Sequence, residues 1–179
     1  MKIFIDAGHG GTNFGAVANG LKESFIDLQV ALKLGDILIA NGYDVRFSRT
    51  KDINLTLFER AQMANKWEAD FFVSIHCNSA ASRMADGSET FVYRLGTVAA
   101  AFGESIQKHL VAENGLKNRG LRVADFTVLV VTGMPAALVE LAFISNPNEA
   151  KLLSSDDFQK RCAIGMANGI IGYVNGKRF

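Results

Sequence analysis

Two cysteines, Cys77 and Cys162, are all that 179 residues supply. They fall in different expected elements without metal-knuckle spacing, which excludes a disulfide framework and a cysteine zinc site; both read as small buried hydrophobes. Proline is equally scarce, at Pro135 and Pro147 only, and no repeat, low-complexity tract or linker divides the chain. A surplus of either charge is also missing. With 19 basic against 18 acidic residues the net charge is +1, too little to advertise nucleic acid or an anionic membrane surface. No apolar run reaches the roughly 18 residues of a membrane span, so no membrane insertion is expected. The first residues read as a strand and not as a signal peptide. Histidine occurs three times, which makes the place of each informative.

Apolar residues, in contrast, make up 49% of the chain, enough for the core of one sizeable domain over residues 1–179. The strand formers Lys2-Ile3-Phe4-Ile5-Asp6 run into Ala7-Gly8-His9-Gly10-Gly11, and Phe71-Phe72-Val73-Ser74-Ile75 runs into His76-Cys77-Asn78. Two of the histidines therefore close strands at the carboxyl ends, where open α/β sheets keep their sites. Between them, residues 23–40 carry Ile26, Val30, Leu34, Ile37 and Leu38 on one helical stripe, widened by Leu28, Leu32 and Ile39. Residues 43–47 alternate as a strand, and Asn54 or Thr56 is placed to cap a helix through Leu57, Ala61, Ala64 and Trp67. Farther on, strands are expected over 88–93, 126–131 and 137–144, and helices over 97–113 and 156–174. The charged stretch Lys117 to Arg122 reads as a solvated turn or, alternatively, as a rim facing a substrate. Strand and helix alternate, and several strands are almost wholly apolar. The pattern predicts an α/β layer sandwich with a mainly parallel sheet covered on both faces.

The chemistry is sought at the strand ends. Taken singly, His9 and His76 each read as a hydrogen-bonded loop histidine; together, at matched strand ends, two neutral imidazoles make half of a zinc site. A third ligand should be an oxygen donor on the same rim. Glu23 opens the helix that returns from the His9 loop, where its alternative role is a first-turn carboxylate favoured by the helix dipole. Asp6 and Asp27 are its competitors. Glu140 interrupts the apolar segment Ala136 to Ile144, and a buried carboxylate needs a cation, a metal or a task. It reads either as a buried ion pair with Arg119 or Arg122, or as a general base whose pKa is raised by desolvation. Cys77 is disfavoured as a nucleophile, because the strand neighbour of a rim-facing His76 points to the opposite face.

Ile5-Asp6-Ala7-Gly8-His9-Gly10-Gly11, the early Glu23, Ser48-Arg49-Thr50 with Asp52, and Arg60 with Ala64-Asn65 form one ordered set. Ser74-Ile75-His76-Cys77-Asn78, Asn118-Arg119-Gly120, and Pro135 to Glu140 with Phe143-Ile144-Ser145-Asn146 continue it. In that order and spacing the chain resembles the zinc-dependent N-acetylmuramoyl-L-alanine amidases of bacterial cell-wall turnover, and the resemblance covers nearly its whole length. It departs just after the first motif: family members often continue with an acidic residue, proline and glycine, whereas this chain has Thr12-Asn13-Phe14-Gly15.

The resemblance implies a three-layer sandwich whose mostly parallel sheet has about six strands. It places His9, Glu23 and His76 on the family's Zn2+ ligands and Glu140 on its catalytic glutamate. The implied reaction is hydrolysis of the amide between the lactyl group of N-acetylmuramic acid and L-alanine in peptidoglycan. A zinc-activated water attacks, and Glu140 takes its proton and returns it to the leaving amine. An inactive wall-binding module of the same fold has little reason to keep all four polar residues. An unrelated zinc peptidase or deacetylase is the enzymatic alternative, although no His-Glu-x-x-His helix is present. Some relatives carry a blocking helix between the second histidine motif and the next strand. Residues 78–87 are too few for one, since even ten helical residues span only about 15 Å. A monomer that needs no activator is expected, with Met1 starting the excised catalytic domain of a larger exported protein of the cell wall.

Overall fold

The computed structural model describes residues 1–176. Strand β1 (Lys2–Ala7) leads through a hairpin, β2 (Val17–Ala18) and β3 (Leu21–Lys22), into helix α1 (Glu23–Ala40). There follow β4 (Asp44–Phe47), α2 (Leu57–Lys66), β5 (Phe71–Asn78), β6 (Ser88–Val92) and α3 (Val98–Asn114). The chain then forms β7 (Asn118–Val123), α4 (Thr127–Val131), β8 (Ala136–Phe143), α5 (Pro147–Leu153) and α6 (Asp156–Asn175). Six strands make one sheet in the order β4-β1-β5-β8-β6-β7. Every neighbouring pair is parallel except β6 against β8.

Side-chain alternation sorts the two faces of this sheet. Ile3, Ile5, Val73, Ile75, Val139 and Leu141 belong to the larger core, with Val30 and Leu34 of α1, Ile106 of α3 and Met166 of α6. Phe4, Phe72 and Leu138 point the other way and pack with Ala64, Trp67, Val128 and Leu129 on the side of α2 and α4. Cys77 sits in the larger core, on the face away from His76, as alternation requires. The α1 stripe faces inward through Ile26, Val30, Leu34 and Leu38, whereas Ile39 is exposed. Thr56, not Asn54, caps α2, in a reciprocal capping box with Glu59.

Two expected elements are corrected. Residues 127–131 form a short helix and not a strand, because a brief apolar run carries no period long enough to separate the two states. The charged stretch around Lys117 to Arg122 is not a turn but the edge strand β7; a charged strand is typical of an exposed sheet edge. Helix α5 and the β2–β3 hairpin were not expected, and both are short.

The end of β1 is held by two buried arginines. Arg60 Nη1 donates to Asp6 Oδ1 at 2.7 Å and to the Ala7 carbonyl, while its Nη2 donates to the His9 carbonyl. Arg49 donates to the carbonyls of Ala7 at 3.0 Å, Gly8 at 2.6 Å and Ser24 at 2.7 Å. Asp6 is fully buried, and burial alone would raise its pKa. The Arg60 charge and hydrogen bonds from Ser48, Ser74 and Arg60 outweigh burial and lower it. Its contribution to stability is therefore present at neutral pH and is lost only as pH falls below the ordinary carboxylate range. Asp6→Ala leaves a buried guanidinium without its counter-charge, and a loss of about 3 to 5 kcal/mol is expected in urea denaturation at pH 7. A loss below about 1 kcal/mol would show that the carbonyls alone satisfy Arg60.

Candidate functional site

Strand register assembles the site. His76 on β5 lies opposite Glu140 on β8, and Glu140 lies opposite Glu89 on β6. His9 follows β1, the neighbour of β5 on its other side, and adopts a positive φ of 56°. The carbonyls gripped by Arg49 and Arg60 hold this turn in place.

Glu23 joins the two histidines. It is the first residue of α1, and the hairpin before it sets the helix end against the sheet rim: Ala16 N donates to Glu23 Oε2 at 2.7 Å and Cys77 N donates to Oε1 at 3.1 Å. His9 Nε2 lies 3.2 Å and His76 Nδ1 2.9 Å from that same Oε1. The Asn13 side-chain oxygen accepts from Gly15 N at 3.1 Å, which fixes its orientation, and it faces His9 Nδ1 at 3.0 Å. His9 therefore keeps its proton on Nδ1 and turns Nε2 towards a carboxylate. Two acceptors face each other at that contact, and something positive belongs between them: a second proton or a metal cation. Burial opposes the charged imidazole, but the Glu23 hydrogen bond and charge prevail and raise the His9 pKa. The same imidazoles hold the Glu23 carboxyl far below its usual range despite burial.

Ligand atoms of His9, Glu23, Asp27 and His76 all lie within 4.8 Å of one another. The backbone is shaped to leave this space open. A Cβ on Gly8 would stand 2.5 Å from His76 Cε1 and 2.7 Å from Asp27 Oδ2, and one on Gly15 would collide with Glu23 Oε2. The donor set of two imidazoles and buried carboxylates fits a divalent transition metal such as zinc. Of the competing acids, Asp6 is taken by Arg60 and Ser74 and stands outside the cluster, whereas Asp27 stands inside it. Burial, followed by the charges of Glu23 and Glu140, drives the Asp27 pKa well up.

Among the described residues no cation pairs with Glu140. Arg119 Nε and Arg122 Nε approach Glu89 instead, at 2.9 Å and 2.7 Å from its Oε2, and Asn78 Nδ2 donates to Oε1 at 2.5 Å. Neighbouring acids in one register are thus treated oppositely. Glu89 is caged by positive charge, while Glu140 Oε2 is buried without a hydrogen-bonding partner among the described residues. Burial, then the charges of Glu23 and Glu89, push the Glu140 pKa well above its ordinary value. A carboxyl in that state beside a metal-ligand cluster is suited to taking and returning a proton near neutral pH. The roles of Asn13 and Glu89 escaped sequence reasoning. Asn13 stands where the chain departs from the family's pattern, and the cage around Glu89 draws on residues up to 33 positions away.

A family model described as N-acetylmuramoyl-L-alanine amidase matches residues 3–172. The N-acetylmuramoyl-L-alanine amidase CwlM of Bacillus licheniformis is 40% identical over 179 residues, covering 98% of this chain and 69% of the relative. The catalytic domain of the amidase CwlV from Bacillus (Paenibacillus) polymyxa var. colistinus superposes with a TM-score of 0.93 at 37% identity, over 98% of this chain and 99% of that one. The amidase CwlD from Clostridioides difficile, solved in complex with the GerS lipoprotein, gives 0.94 at 28% identity, over 98% of this chain and 99% of that one. Among the described residues no helix is long and apolar enough to cross a membrane.

Proposed function

This chain belongs to the N-acetylmuramoyl-L-alanine amidase family, peptidoglycan hydrolases, and from that premise we propose that His9, Glu23 and His76 hold zinc and that Glu140 is the general base. The observation that carries the reading is the convergence of His9 Nε2 and His76 Nδ1 on one Glu23 oxygen, with the buried Glu140 Oε2, which has no hydrogen-bonding partner among the described residues, in the adjoining register. Bound zinc would polarise the scissile carbonyl and make water a better nucleophile. Glu140 takes a proton from the attacking water and passes it to the nitrogen of L-alanine, so that the peptide leaves as a neutral amine. Asn13 orients His9 through Nδ1, and Arg49 and Arg60 hold the turn that carries it.

Residues 1–179 act as one catalytic domain in this reading, as a monomer, at the cell wall and within a larger exported protein. It needs no activator. Residues 79–87 hold no helix to displace and are tied elsewhere: Ala80 N to Ser145 Oγ, Arg83 to Asn19, and Gly87 N to Glu149. Digestion of purified peptidoglycan by the zinc-loaded chain alone tests the reaction and its independence of an activator. New amino termini of L-alanine without new reducing sugars are expected. Other new ends overturn the amide-bond assignment, and release only after a partner protein is added overturns the activator-free reading.

A further inference from the structure

Two hollows open on the rim and meet at His76 and Leu57, which line both. The larger, about 410 Å³, holds His9 and is lined by Asn13, Asn54 and Thr56 together with Leu55 and Leu57. The smaller, about 260 Å³, holds Glu140 and is lined by Phe126, Val128 and Leu138 together with Asp125 and Thr127. Neither His9 nor Asn54 reaches the smaller hollow, and Glu140 does not reach the larger.

We propose that the muramoyl sugar lies in the larger hollow and that the leaving peptide, L-alanine first, lies in the smaller one against Phe126. The inference rests on the amidase reading above. Amide hydrolysis makes one bond, from water oxygen to the carbonyl carbon, and breaks one, from that carbon to nitrogen; the proton lost by water must arrive on nitrogen. Its carrier is Glu140, so the nitrogen and everything attached to it lie on the Glu140 side. The acyl half, with its sugar, is left on the His9 side. Side-chain chemistry is compatible with the same direction: Asn54 and Thr56 line the larger hollow beside Leu55 and Leu57, and Phe126, Val128 and Leu138 line the smaller beside Asp125 and Thr127. A ring bearing hydroxyls and an N-acetyl group finds hydrogen-bonding partners along Asn54 and Thr56, and the alanine methyl finds an apolar wall.

The walls are tested with the two products separately, N-acetylmuramic acid and the soluble peptide that begins with L-alanine, titrated by NMR into zinc-loaded protein. Phe126→Ala should weaken the peptide roughly tenfold, the scale of losing a partly exposed aromatic contact, and leave the sugar unchanged. Asn54→Ala should do the reverse. Phe126→Leu keeps an apolar wall and should bind the peptide almost as wild type does, which separates a lost contact from a misfolded hollow. The crossed pattern, with Phe126→Ala weakening the sugar, overturns the orientation, and so does unchanged affinity in both alanine variants. Wild-type digestion of peptidoglycan keeps the two readings apart. If it frees L-alanine amino termini while the affinities do not move, only the orientation falls; if it frees none, the amidase reading falls and takes this inference with it.

Discussion

Glu140→Gln is expected to lower the release of L-alanine amino termini by roughly 10²- to 10⁴-fold, the usual span for a general acid–base group. Glutamine has nearly the size and reach of glutamate, so the strand pairing of Glu140 with His76 and Glu89 should persist. What disappears is the ability to carry a proton. Zinc content should stay stoichiometric, because the converging atoms at the centre come from other residues. Folding should also survive. Burial and the charges of Glu23 and Glu89 already disfavour the ionised carboxylate, so a neutral side chain removes no favourable charge interaction. The measurement is amino-terminal labelling of soluble products for wild type and variant at equal zinc occupancy. Equal release would remove Glu140 from the mechanism.

The placement of these groups was legible in the sequence to different depths. Glycine-flanked His9 and strand-ending His76 could be put on one rim because a parallel sheet gathers the carboxyl ends of its strands. Glu140 stood out because a lone acid in an apolar strand needs a reason to be there. Glu23 was harder: that it meets both imidazoles depends on where α1 starts, and the β2–β3 hairpin sets that start without any strong pattern in two-residue strands. The destination of Arg119 and Arg122 was hidden by topology. They meet Glu89 and not Glu140 because β6 lies between β8 and β7, antiparallel to β8 and parallel to β7, an order that alternation of elements does not determine. For the same reason the basic stretch looked like a solvated turn. Its charges belong to an edge strand that balances a buried acid.

Glu23→Ala is expected to weaken zinc binding by more than about 100-fold, since even partners outside the ligand shell typically cost 10- to 100-fold, and to abolish amide hydrolysis with it. Glu23 Oε1 lies 3.2 Å from His9 Nε2 and 2.9 Å from His76 Nδ1, and the carboxylate supplies the negative charge that offsets the cation. The fold should hold, because the two imidazoles stand at the rim, 24% and 15% exposed. The affected Ala16 N and Cys77 N are local losses, worth about 1 to 3 kcal/mol each if they stay unsatisfied. Asp27 supplies the control. It shares the cluster but lies one turn farther down α1, so Asp27→Asn should retain zinc where Glu23→Ala does not. Atomic spectroscopy of dialysed protein reads the metal, and near-ultraviolet circular dichroism checks the packing. Stoichiometric zinc and full activity in Glu23→Ala, with zinc lost in Asp27→Asn, would transfer the oxygen ligand to Asp27. Loss of zinc in Glu23→Ala with intact packing assigns it to Glu23, and makes the first residue of α1 the point at which the helix layer completes a centre begun by two strands.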